Sequence, residues 1–153
     1  GLFFANGVTL GPNGDYVLVN ETGLGRVHRL WLKGERAGQR DIFIDQLPGT
    51  PDNIRFDGEE TFWIAMPSLR ASLDDIAPWP RLRALLSFLP IHLLEAAAEP
   101  ASFIIGVNLQ GEVIHNLQDQ GNAFHYITGV TPCGDSLYLG SLRTDEIGLL
   151  PIP

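Results

Sequence analysis

The feature that most constrains the fold is a short motif that recurs three times along the chain. Its copies are Asn6-Gly7-Val8, Asp52-Asn53-Ile54 and Thr128-Gly129-Val130. The first two copies are 46 positions apart and the last two are 76 apart. The excess equals the length of segment 71–100, which interrupts the strand pattern, so the underlying period is 46. A period of about 40–50 residues with several strands per unit predicts the blades of a β-propeller.

Each copy of the motif is followed by a turn and then by further alternating apolar runs, which predict strands. The turns are Asn13-Gly14-Asp15, Gly58-Glu59-Glu60 and Cys133-Gly134-Asp135. We therefore predict an all-β fold in one domain over residues 1–153, built of four-stranded antiparallel blades. The three blades cover about 1–47, 48–120 and 121–153, and three strands are visible in the last.

The inserted segment 71–100 has a different pattern from the blades. Pro80 and Pro90 bracket a run in which four leucines share one helical face, so the sequence predicts a short helix in the second blade. This helix would either pack on the blades or form an apolar lid over a pocket.

Charge and hydropathy exclude several classes of partner. The net charge is −8, and only 10 residues are Lys or Arg against 18 Asp or Glu, so we expect no nucleic-acid partner. No apolar run approaches the length of about 18 residues that spans a bilayer, so no transmembrane segment is predicted. We expect a soluble protein without a visible signal peptide, of unknown compartment.

With Cys133 as its only cysteine, the chain forms no intrachain disulfide.

The repeat brings Asn6 and Asp52 into correspondence just ahead of the innermost strands of adjacent blades. Because such positions converge on the propeller axis, we expect the two side chains to be neighbours. Amide and carboxylate oxygens suit Ca²⁺ or Mg²⁺ better than Zn²⁺. The alternative is that both are turn residues that merely lead into strands.

Three further residues are candidates for the same site. His125 precedes the third inner strand, where it could act as a general base near neutral pH or could be a structural strand histidine. Asn53 and Thr128, in the second and third copies of the motif, are predicted to contact a substrate.

Several stretches resemble one family. They are Phe4-Ala5-Asn6-Gly7-Val8, Val17-Leu18-Val19-Asn20-Glu21-Thr22, Leu47-Pro48-Gly49-Thr50-Pro51-Asp52-Asn53-Ile54 and Leu137-Tyr138-Leu139-Gly140-Ser141-Leu142-Arg143. The chain is similar to the strictosidine synthase-like proteins, in the branch of the adipocyte plasma membrane-associated protein. That family belongs with regucalcin, gluconolactonases and paraoxonases among six-bladed propellers. The resemblance implies that this chain corresponds to the C-terminal half of such a ring.

The resemblance also implies a chemistry. In the lactonase relatives the residues matching Asn6 and Asp52 bind a divalent metal, and the Asp also activates the nucleophile. The implied cofactor is calcium, with magnesium or manganese as alternatives, and Asp52 and His125 are the catalytic candidates. The remaining family ligands lie in blades that this chain does not contain.

The synthase activity itself is not expected. Strictosidine synthases use a Glu just before the turn of the last blade, whereas the stretch from Thr128 to Gly134 has no carboxylate before Asp135. We therefore expect a metal-dependent lactonase or esterase-like hydrolase of a small molecule. The alternative is a non-catalytic binding or assembly module.

Three blades cannot close a six-bladed ring. An open ring would expose the apolar faces of its terminal blades, which is a liability for a soluble protein. A two-fold homodimer that places six blades around one axis is therefore the expected assembly. The alternatives are that the sequence is a piece of a longer protein, or that the half-ring is stable without forming a propeller.

Overall fold

The computed structural model describes residues 1–70, 100–119 and 124–153, which form strands and short 3₁₀ turns. The eleven strands of these residues are β1 Ala5–Leu10, β2 Tyr16–Glu21, β3 Arg26–Trp31, β4 Arg40–Ile44, β5 Ile54–Phe56, β6 Phe62–Ser68, β7 Pro100–Val107, β8 Val113–Gln118, β9 Ile127–Cys133, β10 Ser136–Ser141 and β11 Gly148–Pro151. The 3₁₀ turns are Pro12–Gly14, Thr22–Leu24 and Gly34–Arg36. The helix predicted in segment 71–100 lies outside the described residues. Pro100, the last residue of that segment, is described and begins β7.

The strands form antiparallel sheets in chain order. The first sheet has the order β1-β2-β3-β4, the second β5-β6-β7-β8, and the third contains β9, β10 and β11. The all-β prediction is confirmed, and the three sheets are arranged as expected for propeller blades. The six-bladed ring that they would help to form stays a prediction. No helix in the described part of the chain combines the length and the apolar character that crossing a membrane requires.

The second sheet is buried on both faces because it lies between the other two. Along β6, the side chains of Phe62 and Ile64 belong to the core shared with the first sheet. The alternate residues Trp63 and Ala65 belong to the core shared with the third sheet. Successive strand residues point to opposite faces, so two cores require the continuous apolar run Phe62-Trp63-Ile64-Ala65-Met66. Burial of each large side chain contributes about 1.5–3 kcal/mol.

The first strand of each sheet lies against the first strand of the next, since β1 contacts β5 and β5 contacts β9. The two backbones are in contact at Gly7, whose N–H donates to the main-chain oxygen of Asp52 at 2.9 Å. A Cβ atom at Gly7 would lie 2.4 Å from that oxygen and 2.7 Å from the Cα of Asn53. The contact is backbone against backbone, so only glycine fits at this position.

We predict that Gly7→Ala lowers the free energy of unfolding by about 2–3 kcal/mol, because neither backbone can move aside without breaking the contact. The matched control is Gly140→Ala in β10, where an added Cβ meets nothing within 4 Å. That substitution should change stability by less than about 0.5 kcal/mol. Urea unfolding of both variants measures the difference, and equal midpoints would contradict the close-contact argument.

Candidate functional site

The recurring motif coincides with an irregularity at the start of each inner strand. The pairing register shifts between Ala5 and Val8 in β1, and it shifts again where β9 begins against β10. In the second sheet, Asp52 N–H donates to the Ala65 oxygen at 2.9 Å while Ala65 N–H donates to the Asn53 oxygen at 3.1 Å. Asp52 and Asn53 thus lie opposite the single residue Ala65, which is the pattern of a β-bulge. Such bulges redirect side chains and backbone groups out of the sheet.

The structure brings Asn6 and Asp52 together, as the repeat predicts. Both side chains are half-buried, and the Asn6 side chain lies close enough to the Asp52 carboxyl to lower its pKa. Burial raises the pKa of the Asp52 carboxyl above its ordinary value, and the neighbouring Asn6 side chain opposes that rise only in part. A carboxylate made more basic in this way accepts protons more readily at neutral pH than an exposed aspartate does.

The backbone that carries Asp52 is held by the first sheet. The main-chain oxygen of Asp52 accepts a second hydrogen bond, from Asn20 Nδ2 at 2.7 Å. One residue earlier, the Pro51 oxygen accepts from Thr22 Oγ1 at 2.6 Å. Sequence reasoning missed both donors as site residues. The available signal is that Asn20 continues the alternation of Tyr16 and Leu18, which places a polar residue at a core-facing position.

Asn53 and Thr128 connect the second sheet to the third. The Thr128 oxygen accepts from the Asn53 N–H at 3.2 Å and from Asn53 Nδ2 at 2.8 Å. This repeats, one sheet further along, the contact that Gly7 makes with Asp52. The predicted role of Asn53 and Thr128 in substrate contact stays a prediction, and the structure adds a linking role for both.

His125 lies just ahead of β9, at the same end of the inner strands as Asp52. Its ring centroid is 5.4 Å from that of Tyr126, and its main-chain oxygen accepts from Ser141 Oγ at 2.7 Å. Tyr126 has φ of 52°, a left-handed conformation unusual for a non-glycine residue. The same conformation recurs at Phe4, also two residues before its copy of the motif. A catalytic role for His125 stays a prediction.

The donor set at Asn6 and Asp52 fits a hard divalent cation. It combines a carboxylate with an amide, which are oxygen ligands of the kind that calcium takes. Within residues 1–70, 100–119 and 124–153, no group of three or more His, Cys, Asp or Glu side chains is placed to hold a metal ion. A cation at Asp52 would therefore depend on amide oxygens, carbonyls and water for most of its coordination, which calcium tolerates and Zn²⁺ does not.

A buried carboxylate anchors the segment that leads into β1. Glu21 is 1% exposed and accepts hydrogen bonds of 2.6 Å from the Phe3 N–H, from Arg26 Nε and from His28 Nε2. Burial alone would raise the pKa of Glu21, but these donors outweigh it and lower the pKa to about 2 from 4.5. The charged form of Glu21 is therefore built into the fold beside the site.

We predict an acid-dependent loss of stability that originates at Glu21. Because its folded-state pKa is depressed, the charged carboxylate stabilises the fold fully above about pH 4.5, and this contribution disappears as the pH falls towards 2. Glu21→Gln should cost about 2 kcal/mol at pH 7 and should flatten the pH dependence between 4.5 and 2. Urea unfolding across this range measures it, and parallel curves for both proteins would contradict the assignment.

The three sheets stack in chain order through their first strands, and polar residues lie at the starts of these strands. This arrangement defines a propeller-like protein with a polar site at one end. Residues 1–35 match the family model described as strictosidine synthase.

Curated relatives extend the similarity to nearly the whole chain. Over 97% of its length it is 36% identical to Strictosidine synthase-like 10 of Arabidopsis thaliana, of which it covers 41%. Over 96% of its length it is 32% identical to the adipocyte plasma membrane-associated protein of Gallus gallus, of which it covers 37%. The chain is therefore similar to the strictosidine synthase-like proteins over nearly its whole length, and it spans about two fifths of the length of the curated relatives that it matches.

Proposed function

We propose that the chain carries the metal-binding part of a lactonase or esterase-like hydrolase. The observation that supports this proposal is the contact between the Asn6 amide and the half-buried Asp52 carboxylate. In this proposal Asn6 and Asp52 hold a divalent cation, with calcium preferred for its oxygen ligands. A cation bound there supplies Lewis-acid polarisation of a substrate carbonyl.

The residues of the chain would divide the remaining work. Asp52 would accept a proton from water, and the resulting hydroxide adds to the carbonyl carbon of the ester or lactone. The carbon–oxygen bond to the alcohol then breaks, and the proton passes to the departing oxygen. His125, at the same end of the inner strands, is the second candidate for this proton transfer. Asn53 and Thr128 would line the approach of the substrate.

The position of Asp135 argues against synthase chemistry in this chain. The resemblance placed the synthase Glu before the last turn, where Thr128 to Gly134 offer no carboxylate. Asp135 lies in the turn between β9 and β10, at the end of the strands away from Asp52, and it is exposed. Asp135 therefore does not stand where the resemblance places the synthase Glu.

We predict that Asp52→Asn lowers kcat/KM at least about 100-fold on any lactone or aryl ester that the protein hydrolyses, because it removes the proton acceptor and the negative charge that attracts the cation. A panel of both substrate classes with Ca²⁺, Mg²⁺ or Mn²⁺ provides the measurement. Asp135→Asn is the matched control and should retain full activity. Equal rates for Asp52→Asn and the unmodified protein would exclude Asp52 from the mechanism, and an inactive unmodified protein would favour a binding module.

A second candidate function, an assembly module, is favoured by the exposed apolar faces of the terminal sheets. On the first sheet, Val8 and Leu10 of β1 are 58% and 56% exposed. On the third sheet, Tyr138 and Leu149, which are paired across β10 and β11, are 46% and 64% exposed. A second copy of the chain could cover these faces, as in the expected homodimer.

We predict a dimer of twice the 16.8 kDa chain mass in light scattering at micromolar concentration. Val8→Glu should convert it to a monomer, because a charge would enter the covered apolar face. Val113→Glu in β8 is the matched control, since Val113 is 49% exposed but lies on the outer strand of the middle sheet. A monomeric unmodified protein would contradict the homodimer.

A further inference from the structure

Asn20 is a fully buried polar side chain, and within the described residues its side chain makes one hydrogen bond, to the backbone of Asp52. It is 0% exposed and stands near the end of β2, between the first and second sheets. Its Nδ2 donates to the Asp52 main-chain oxygen at 2.7 Å. That oxygen also accepts the Gly7 N–H at 2.9 Å, so two donors fix one peptide group.

The orientation of the Asn20 amide follows from chemistry. Reversing it would place Oδ1 against the Asp52 oxygen, and two acceptors would then repel each other. In the favourable orientation Oδ1 is buried and has no hydrogen-bond partner among the described residues. The side chain thus satisfies the Asp52 carbonyl while its own acceptor remains unpaired.

An unpaired buried acceptor destabilises a fold, and an apolar residue at this position would avoid that penalty. The neighbours of Asn20 on the same face, Tyr16 and Leu18, are packed into the core. The amide is therefore poorly explained by packing alone. An apolar residue could not provide the hydrogen bond that the Asn20 amide makes to the Asp52 peptide, from which the Asp52 side chain projects.

We propose that Asn20 is a positioning residue for Asp52. By fixing the Asp52 peptide, it holds the carboxylate in the orientation that binds a divalent cation, in the way that outer-sphere partners orient metal ligands. This inference rests on the proposed function, in which Asp52 is a cation ligand. It assigns a role in the site to a residue that does not itself touch the cation.

The test compares Asn20→Ala with Ile64→Val, a control that weakens the core between the same two sheets without touching Asp52. The first measurement is calcium affinity, from the rise in melting temperature with added CaCl₂. Asn20→Ala should weaken calcium binding by about 10-fold or more. Ile64→Val should lower the melting temperature yet keep the affinity of the unmodified protein. Asn20→Ser, which retains a smaller donor, should give an intermediate loss and serves if the alanine variant does not fold.

The second measurement needs no metal. In calcium-free protein, Asn20→Ala should speed hydrogen exchange of the Gly7 amide more than Ile64→Val does, because the Asp52 peptide that accepts it becomes mobile. Unchanged Gly7 exchange and unchanged calcium affinity would overturn the positioning role, as would an equal loss in Ile64→Val. If the unmodified protein shows no calcium response, the cation proposal fails, while Gly7 exchange still decides whether Asn20 positions Asp52.

Discussion

The structure depends on a pair of main-chain hydrogen bonds that link the starts of the inner strands. Gly7 donates to the Asp52 oxygen, and Asn53 donates to the Thr128 oxygen. The two bonds join equivalent positions of the repeat, so the same local bulge that frees an N–H in one sheet presents a carbonyl in the next. The hydrogen bonds between the sheets and the polar site therefore have one structural origin, because both depend on the bulge at the start of each inner strand.

This arrangement explains why polar residues are retained in a largely apolar interface. The sheets associate through two apolar cores, and Ile54 and Ala65 of these cores lie next to the site. There the backbone groups released by the bulges must be satisfied, and Asn20 and Thr22 supply side-chain donors for Asp52 and Pro51. The buried carboxylate of Glu21 secures the approach to β1 in the same way. Stability and the placement of Asp52 are consequently difficult to separate.

Much of the fold was predictable because its signals are local. The period of 46, the alternating strands and the turn residues indicated three antiparallel sheets, and the structure has them. The neighbourhood of Asn6 and Asp52 was also predictable, since the repeat places both at one register position. Asn20 and Thr22 were not recognised as partners of this site. Their hydrogen bonds cross from one sheet to another, and such contacts produce no periodic pattern in the sequence.

The sequence by itself determined the all-β class, the repeat and the polar residues that head each inner strand, because periodicity and turn chemistry are properties of neighbouring residues. Only the tertiary structure decided that Asp52 is half-buried with a raised pKa, that Gly7 admits no side chain and that Asn20 faces the Asp52 carbonyl. Each of these depends on how closely two sheets approach. That distance is set by packing across the interface, which no single stretch of sequence encodes.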